Sequence, residues 1–273
     1  MALNWVKESF VCATDITGAS EVTLACAVKS DGRMTCFGDG SEYFSAPLIE
    51  KAPNRQWAKL ILADDPSDST DHELCGIDVS GVGVCWSRGG EPRELSGKIK
   101  QVASGTSGLC VIAEGGAGQC LQNQGLAGPI AGTFQDLVIR NNLIFGLDPS
   151  GKVTAPSPQF ELPAGVYTQI SASSHALCGL RADHSLACAP NALPAALAAQ
   201  RFSQVAVEYW GSMCAIRDDQ TIMCDTLQSG SNFTPPAGKF TRIVALSQGM
   251  CGIGIDGTIS CFGNQAATPP GDW

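Results

Sequence analysis

The cysteines constrain this chain more than any other feature. Twelve of the thirteen fall into six pairs at a constant step of ten positions: Cys26 with Cys36, Cys75 with Cys85, Cys110 with Cys120, Cys178 with Cys188, Cys214 with Cys224 and Cys251 with Cys261. A fixed step recurring along a whole chain marks an internal repeat. Aligned on it, the sequence reads Cys-Ala-Val-Lys-Ser-Asp-Gly-Arg-Met-Thr-Cys at 26–36 and Cys-Gly-Ile-Gly-Ile-Asp-Gly-Thr-Ile-Ser-Cys at 251–261. A seventh copy spans 145–155, where Phe145 and Ala155 replace both cysteines. The one copy that loses a cysteine loses its partner too, as a bonded pair requires. No Cys-x-x-Cys occurs and histidine is rare, which argues against zinc and redox-active motifs.

Each copy reads as a short apolar strand, a polar turn and a second strand. Asp31-Gly32, Ser80-Gly81, Ser150-Gly151 and Asp256-Gly257 mark the turn, and His184 stands in the glycine place of its own copy. A three-residue loop with a left-handed glycine suits such a hairpin. It sets the two cysteines of a pair directly opposite each other, near disulfide reach. Upstream, Ile99, Phe134, Tyr167 and Phe240 lie eleven residues before the first anchor of their copies, and Phe202 twelve. Trp57 and Trp5 lie eighteen and twenty-one before theirs, which places insertions in the first two copies. This residue is expected to open a further strand and to pack between neighbouring units. Trp273, twelve past Cys261, has the phase of a new copy, as Trp5 does.

The expectation is an all-β chain: a single closed seven-bladed β-propeller over residues 1–273 with intra-blade disulfides. Its repeats are anchored at 26–36, 75–85, 110–120, 145–155, 178–188, 214–224 and 251–261. Such a ring leaves no free sheet edge. Only 191–199 is expected to make a helical turn.

The repeat resembles that of the regulator-of-chromosome-condensation propellers. The residues that carry the resemblance are Cys26-Ala27-Val28, Asp31-Gly32 and Cys36-Phe37-Gly38, again Cys251-Gly252-Ile253, Asp256-Gly257 and Cys261-Phe262-Gly263, and in part Cys85-Trp86. The paired cysteines are most similar to the disulfide-rich subgroup found in secreted bacterial proteins and in the ectodomains of crinkly-type receptor kinases. The resemblance implies a rigid disc that presents loops to a partner. It does not choose the partner, because fold does not imply function.

Net charge is −9, which disfavours nucleic acid or an anionic membrane as partner. No apolar run is long enough for membrane insertion. Met1 to Trp5 shows no leader pattern and already falls in the first repeat, so the chain is expected to belong to a larger protein. Cross-strand disulfides place it in an oxidising compartment: secreted, periplasmic or at the cell surface.

The densest polar loop, 64–73, carries Asp64, Asp65, Asp68 and Asp71, and reads either as a calcium site or as a solvated loop. His72 and His175 each precede a cysteine anchor by three, where other repeats carry Ser107, Asn142 or Gln248, so the slot reads as structural. No catalytic constellation and no cofactor motif is visible. Trp86, Tyr209 and Trp210 are the candidate contact residues, the last two because their segment has one extra residue. Cys12 has no partner in register and reads as a buried thiol or a linker between chains. The functional expectation is a recognition module that binds a protein or glycan through loops of one propeller face. The alternative is an enzyme whose site sits in the central channel and draws on several blades.

Overall fold

The computed structural model describes residues 13–18, 24–38, 48–64, 72–87, 89–105, 108–122, 128–140, 143–173, 175–190, 193–208, 210–227, 233–246 and 248–263. The chain is all-β. Its helical content is slight: residues 48–50, a 3-10 turn at Pro158–Phe160 and one short helix, α1, at Ala195–Ala198 within the stretch expected to turn. No helix among the described residues is long and apolar enough to cross a membrane.

Every repeat contributes three antiparallel strands in chain order. They are β1 Ala13–Gly18, β2 Leu24–Lys29 and β3 Met34–Gly38; then β4 Trp57–Asp64, β5 His72–Asp78 and β6 Val82–Ser87. The third repeat uses β7 Arg93–Gly105, β8 Gly108–Ala113 and β9 Ala117–Gln122, with a fourth strand, β10 Gly128–Thr133. Next come β11 Asp136–Arg140, β12 Leu143–Leu147 and β13 Val153–Thr154, then β14 Tyr167–Ala172, β15 Leu177–Arg181 and β16 Leu186–Ala189. The last two are β17 Phe202–Val207, β18 Ser212–Arg217 and β19 Ile222–Thr226, and β20 Phe240–Ala245, β21 Gly249–Gly254 and β22 Ile259–Gly263. β7 is long enough to pair β6 with its first part and β8 with its second, which fuses the second and third repeats into one seven-stranded sheet.

The hairpin register pairs Cys26 with Cys36, Cys75 with Cys85, Cys110 with Cys120, Cys178 with Cys188, Cys214 with Cys224 and Cys251 with Cys261. All six pairs are disulfides, with Cα atoms 3.9–4.1 Å apart. The turn residues Gly32, Gly81, Gly116, Gly151 and Gly257 are left-handed, and so are His184 (φ 68°) and Gln220 (φ 70°). In six cases the carbonyl of this residue accepts the N–H that opens the next repeat. Gly32 receives Trp57, Gly81 receives Ile99, Gly116 receives Phe134, Gly151 receives Tyr167, His184 receives Phe202 and Gln220 receives Phe240, all at 2.8–3.0 Å.

The opening residue of a repeat lies over the second strand. A Cβ added to Gly76 would sit 2.3 Å from the Trp57 ring, one on Gly179 2.5 Å from Tyr167, and one on Gly146 2.5 Å from Phe134. In the first repeat Ala13, opposite Lys29, occupies the register slot that Trp57 holds opposite Asp78 and Tyr167 opposite Arg181. The slot of the first repeat is therefore Ala13 and not Trp5, which lies outside the described residues.

Burial is organised between repeats. One core cluster joins Cys26, Val28 and Cys36 to Trp57, Leu60 and Trp86; five more link the following repeats pairwise. Another joins Leu246, Cys251, Ile253 and Ile259 of the last repeat to Ala25, Ala27 and Phe37 of the first. The opening strands are mutual neighbours in the same order, β1 beside β4 and, at the other end, β20 beside β1.

Candidate binding site

The expected contact residues part company. Trp86 is buried: its ring stacks on Trp57 with centroids 5.1 Å apart, and its Nε1–H donates to Leu48 O at 2.7 Å. This corrects the reading of Trp86 as a surface aromatic. Its face of the sheet is covered by the neighbouring repeat, so Trp86 joins the core, as Phe37 and Phe262 do. Tyr209 lies outside the described residues. Trp210 is 49% exposed and stacks on His175 of the preceding repeat, centroids 6.4 Å apart and ring planes 18° apart.

The loop beneath Trp210 is held from inside. Glu208 is buried, and its carboxylate accepts the N–H of Trp210 at 2.8 Å and of Ser212 at 3.0 Å, while its carbonyl accepts Gly211 N–H. On the neighbouring loop buried Ser173 does the same for His175, its Oγ accepting the N–H groups of His175 and Ala176. Two capped loops thus present one indole and one imidazole, nearly parallel, at the same end of adjacent repeats. Exposed tryptophan on a fixed backbone is the kind of surface that interface hot spots favour.

The first strands line a cavity of about 290 Å³ whose lining includes Lys59, Lys100, Gln101, Asp136 and Arg242. Amides on the first strands tie successive repeats together. Gln101 binds both the N–H and the C=O of Leu137 (3.1 Å each), Gln169 those of Val205 (3.1 and 3.2 Å) and Gln204 those of Ile243 (2.8 and 3.0 Å). Asp136 takes the same place in the fourth repeat. Burial pushes its carboxyl up, against the hydrogen bonds it accepts from Gln101 and from the Ile170 and Leu137 N–H groups. Sequence reasoning missed these amides, although glutamine recurs two residues after Ile99, Tyr167 and Phe202.

The acidic loop is only partly described. Asp64 ends β4 in register with His72, while Asp65, Asp68 and Asp71 lie outside the described residues. Nearby, Glu73 sits against Cys75 and Cys85. Those sulfurs are bonded to each other, and Glu73 accepts a forked hydrogen bond from Arg93 at 2.9–3.2 Å, so the cluster is structural.

The sequence matches no protein-family model, and no curated protein matches it. Solved structures do. The chain is similar to the crinkly ectodomain of the Arabidopsis thaliana receptor kinase ACR4, at 16% identity and a TM-score of 0.70 over 93% of this chain and 97% of that one. The fold is a β-propeller. The ectodomain of the Physcomitrella patens receptor kinase CR4 is also similar, at 17% identity and a TM-score of 0.68 over 91% of this chain and 72% of that one. Human WBSCR16 shares the fold at 6% identity, with a TM-score of 0.63 over 89% and 87%. The expected resemblance to crinkly-type ectodomains is therefore present in the fold.

Proposed function

We propose that the chain is a closed seven-bladed propeller that works outside the reducing cytosol as a recognition module, with Trp210 and His175 at the centre of its contact face for a protein or glycan. Closure is supported by the core shared between last and first repeats and by β20 lying beside β1. An oxidising location is supported by the six cross-strand disulfides and by the likeness to receptor ectodomains.

The observation that carries the contact face is the exposed Trp210 on its buried Glu208 cap. An indole held rigidly at the surface loses little entropy when a ligand covers it. Arrays of glycans and of secreted proteins, probed with the chain and with Trp210→Ala, test the reading. The expected result is a ligand whose affinity falls about tenfold or more in the variant, since hot-spot truncations cost about 2 kcal/mol or more. A ligand bound equally by both proteins overturns the assignment of Trp210.

A further inference from the structure

The fourth repeat leaves its outer edge open. β13 is two residues long and is the outermost strand of its sheet. In the two preceding repeats the corresponding edge is covered by the chain itself: β7 pairs with β6 and β10 pairs with β9. There Cys85 lies opposite Arg93, and Cys120 opposite Gly128. Ala155 is the equivalent residue of the fourth repeat. Beyond it the chain turns at Pro158–Phe160 and returns along 161–165 to Tyr167. Among the described residues, no backbone hydrogen bond joins that returning segment to β13. Between the two lies a cleft of about 500 Å³, lined among others by Val153, Ala155, Leu162, Pro163, Ala164 and Tyr167.

The far wall is anchored. Phe160 is buried edge-on to Phe145 with centroids 5.4 Å apart, and Tyr167 OH donates to Pro163 O at 2.6 Å. The register shows which groups face the cleft. Asp148 N–H donates to Lys152 O at 3.0 Å, so these two form a hydrogen-bonded pair. Pairs alternate along an antiparallel ladder. Val153, opposite Leu147, therefore directs its own N–H and C=O to the outer edge, and Ala155, two residues on, has the same phase. Among the other residues that line the cleft, Pro156, Pro158 and Pro163 have no N–H to offer.

We propose that this cleft binds an extended peptide segment of a partner protein, which adds to β13 as the fourth strand that repeats two and three make for themselves. Main-chain pairing to Val153 and Ala155 would supply the affinity, and the small wall of Ala155, Pro163 and Ala164 selects small or apolar side chains. The site is separate from the Trp210 face and stands or falls independently of it.

Short random peptides displayed as a library and selected against the full chain provide the probe. The enriched peptide is then titrated against the chain and its variants Ala164→Trp, Val153→Pro and Trp210→Ala. Ala164 is exposed, so its replacement fills the cleft without entering the core and decides the matter if Val153→Pro impairs folding. The expected result is about a tenfold loss in Val153→Pro, the worth of a main-chain hydrogen bond, a loss at least as large in Ala164→Trp, which fills the cleft, and no change in Trp210→Ala. N-methylation along the peptide should weaken binding at every second amide. Failure to enrich any peptide, indifference to Ala164→Trp, loss in Trp210→Ala, or N-methyl effects without a period of two would overturn the proposal.

Discussion

Gln101 and Asp136 stand at the same position of consecutive repeats, and the amide of the first donates to the carboxylate of the second at 2.7 Å. Where glutamine holds this position, it satisfies both the N–H and the C=O of the next opening strand. Asp136 only accepts, and its carboxyl is held above the usual range mainly by burial. A carboxyl raised on folding favours the protonated native state, so its ionisation weakens the fold as pH rises above the unfolded value of 3.8. Asp136→Asn should therefore raise stability at neutral pH and lose that advantage below about pH 4, as read by urea unfolding at several pH values. Gln169→Ala should do the reverse at all pH values, costing about 1–3 kcal/mol because buried Val205 loses its partners.

The disulfides invite a test by removal and by addition. Replacing Cys178 and Cys188 together with alanine should cost about 3 kcal/mol, the chain-entropy value for a loop of this size. Adding the missing seventh bridge by Phe145→Cys with Ala155→Cys should not stabilise the protein, although the hairpin register predicts that the bond forms. Phe145 is fully buried and packs on Phe160, and losing such a ring costs about 3–5 kcal/mol, which exceeds the gain. Peptide mass mapping and thermal unfolding read both halves.

Acid should loosen the hairpin turns. Burial pushes Asp78 up, but hydrogen bonds from Ser80, Arg55 and the N–H of Val82 outweigh it and hold the carboxyl at about 2. Asp148, Asp183, Asp219 and Asp256 are also lowered, chiefly by the hydroxyls of Ser150, Ser185, Thr221 and Thr258. Depressed carboxyls contribute stability above the unfolded value, and it is lost as pH falls through the folded one. The melting temperature should therefore drop between about pH 4 and pH 2, and Asp78→Asn should flatten that slope while lowering the plateau at neutral pH.

Glycines beneath the opening rings should tolerate nothing larger. Gly179→Ala puts a methyl 2.5 Å from the Tyr167 ring, which cannot retreat because its hydroxyl is bonded to Pro163. The expected cost is about 1–3 kcal/mol, the usual range for overpacking. In the first repeat the equivalent of Gly179 is Ala27, and there the register slot of Tyr167 is held by Ala13.

The cysteine step made the hairpins, their register and their bridges legible, because a covalent pair admits few spacings. Trp86 was misread because alternation along a strand normally separates a wet face from a dry one, whereas these sheets are packed on both. Trp5 was misplaced because an aromatic was sought in a slot that Ala13 fills. Trp210 drew notice through its extra residue, but its cap by Glu208 depends on a buried carboxylate that sequence alone does not reveal. The open edge of β13 was hidden because it depends on where a loop does not pair.

The bonds between each left-handed turn and the next opening residue have a further consequence. Donor and acceptor are both main-chain atoms, so the join is blind to the side chains on either side of it; glycine, histidine and glutamine all serve as acceptor. Such a seam lets each repeat diverge in its loops without renegotiating its fit to its neighbours. Loop sequences then change one repeat at a time, while the architecture that carries them stays the same.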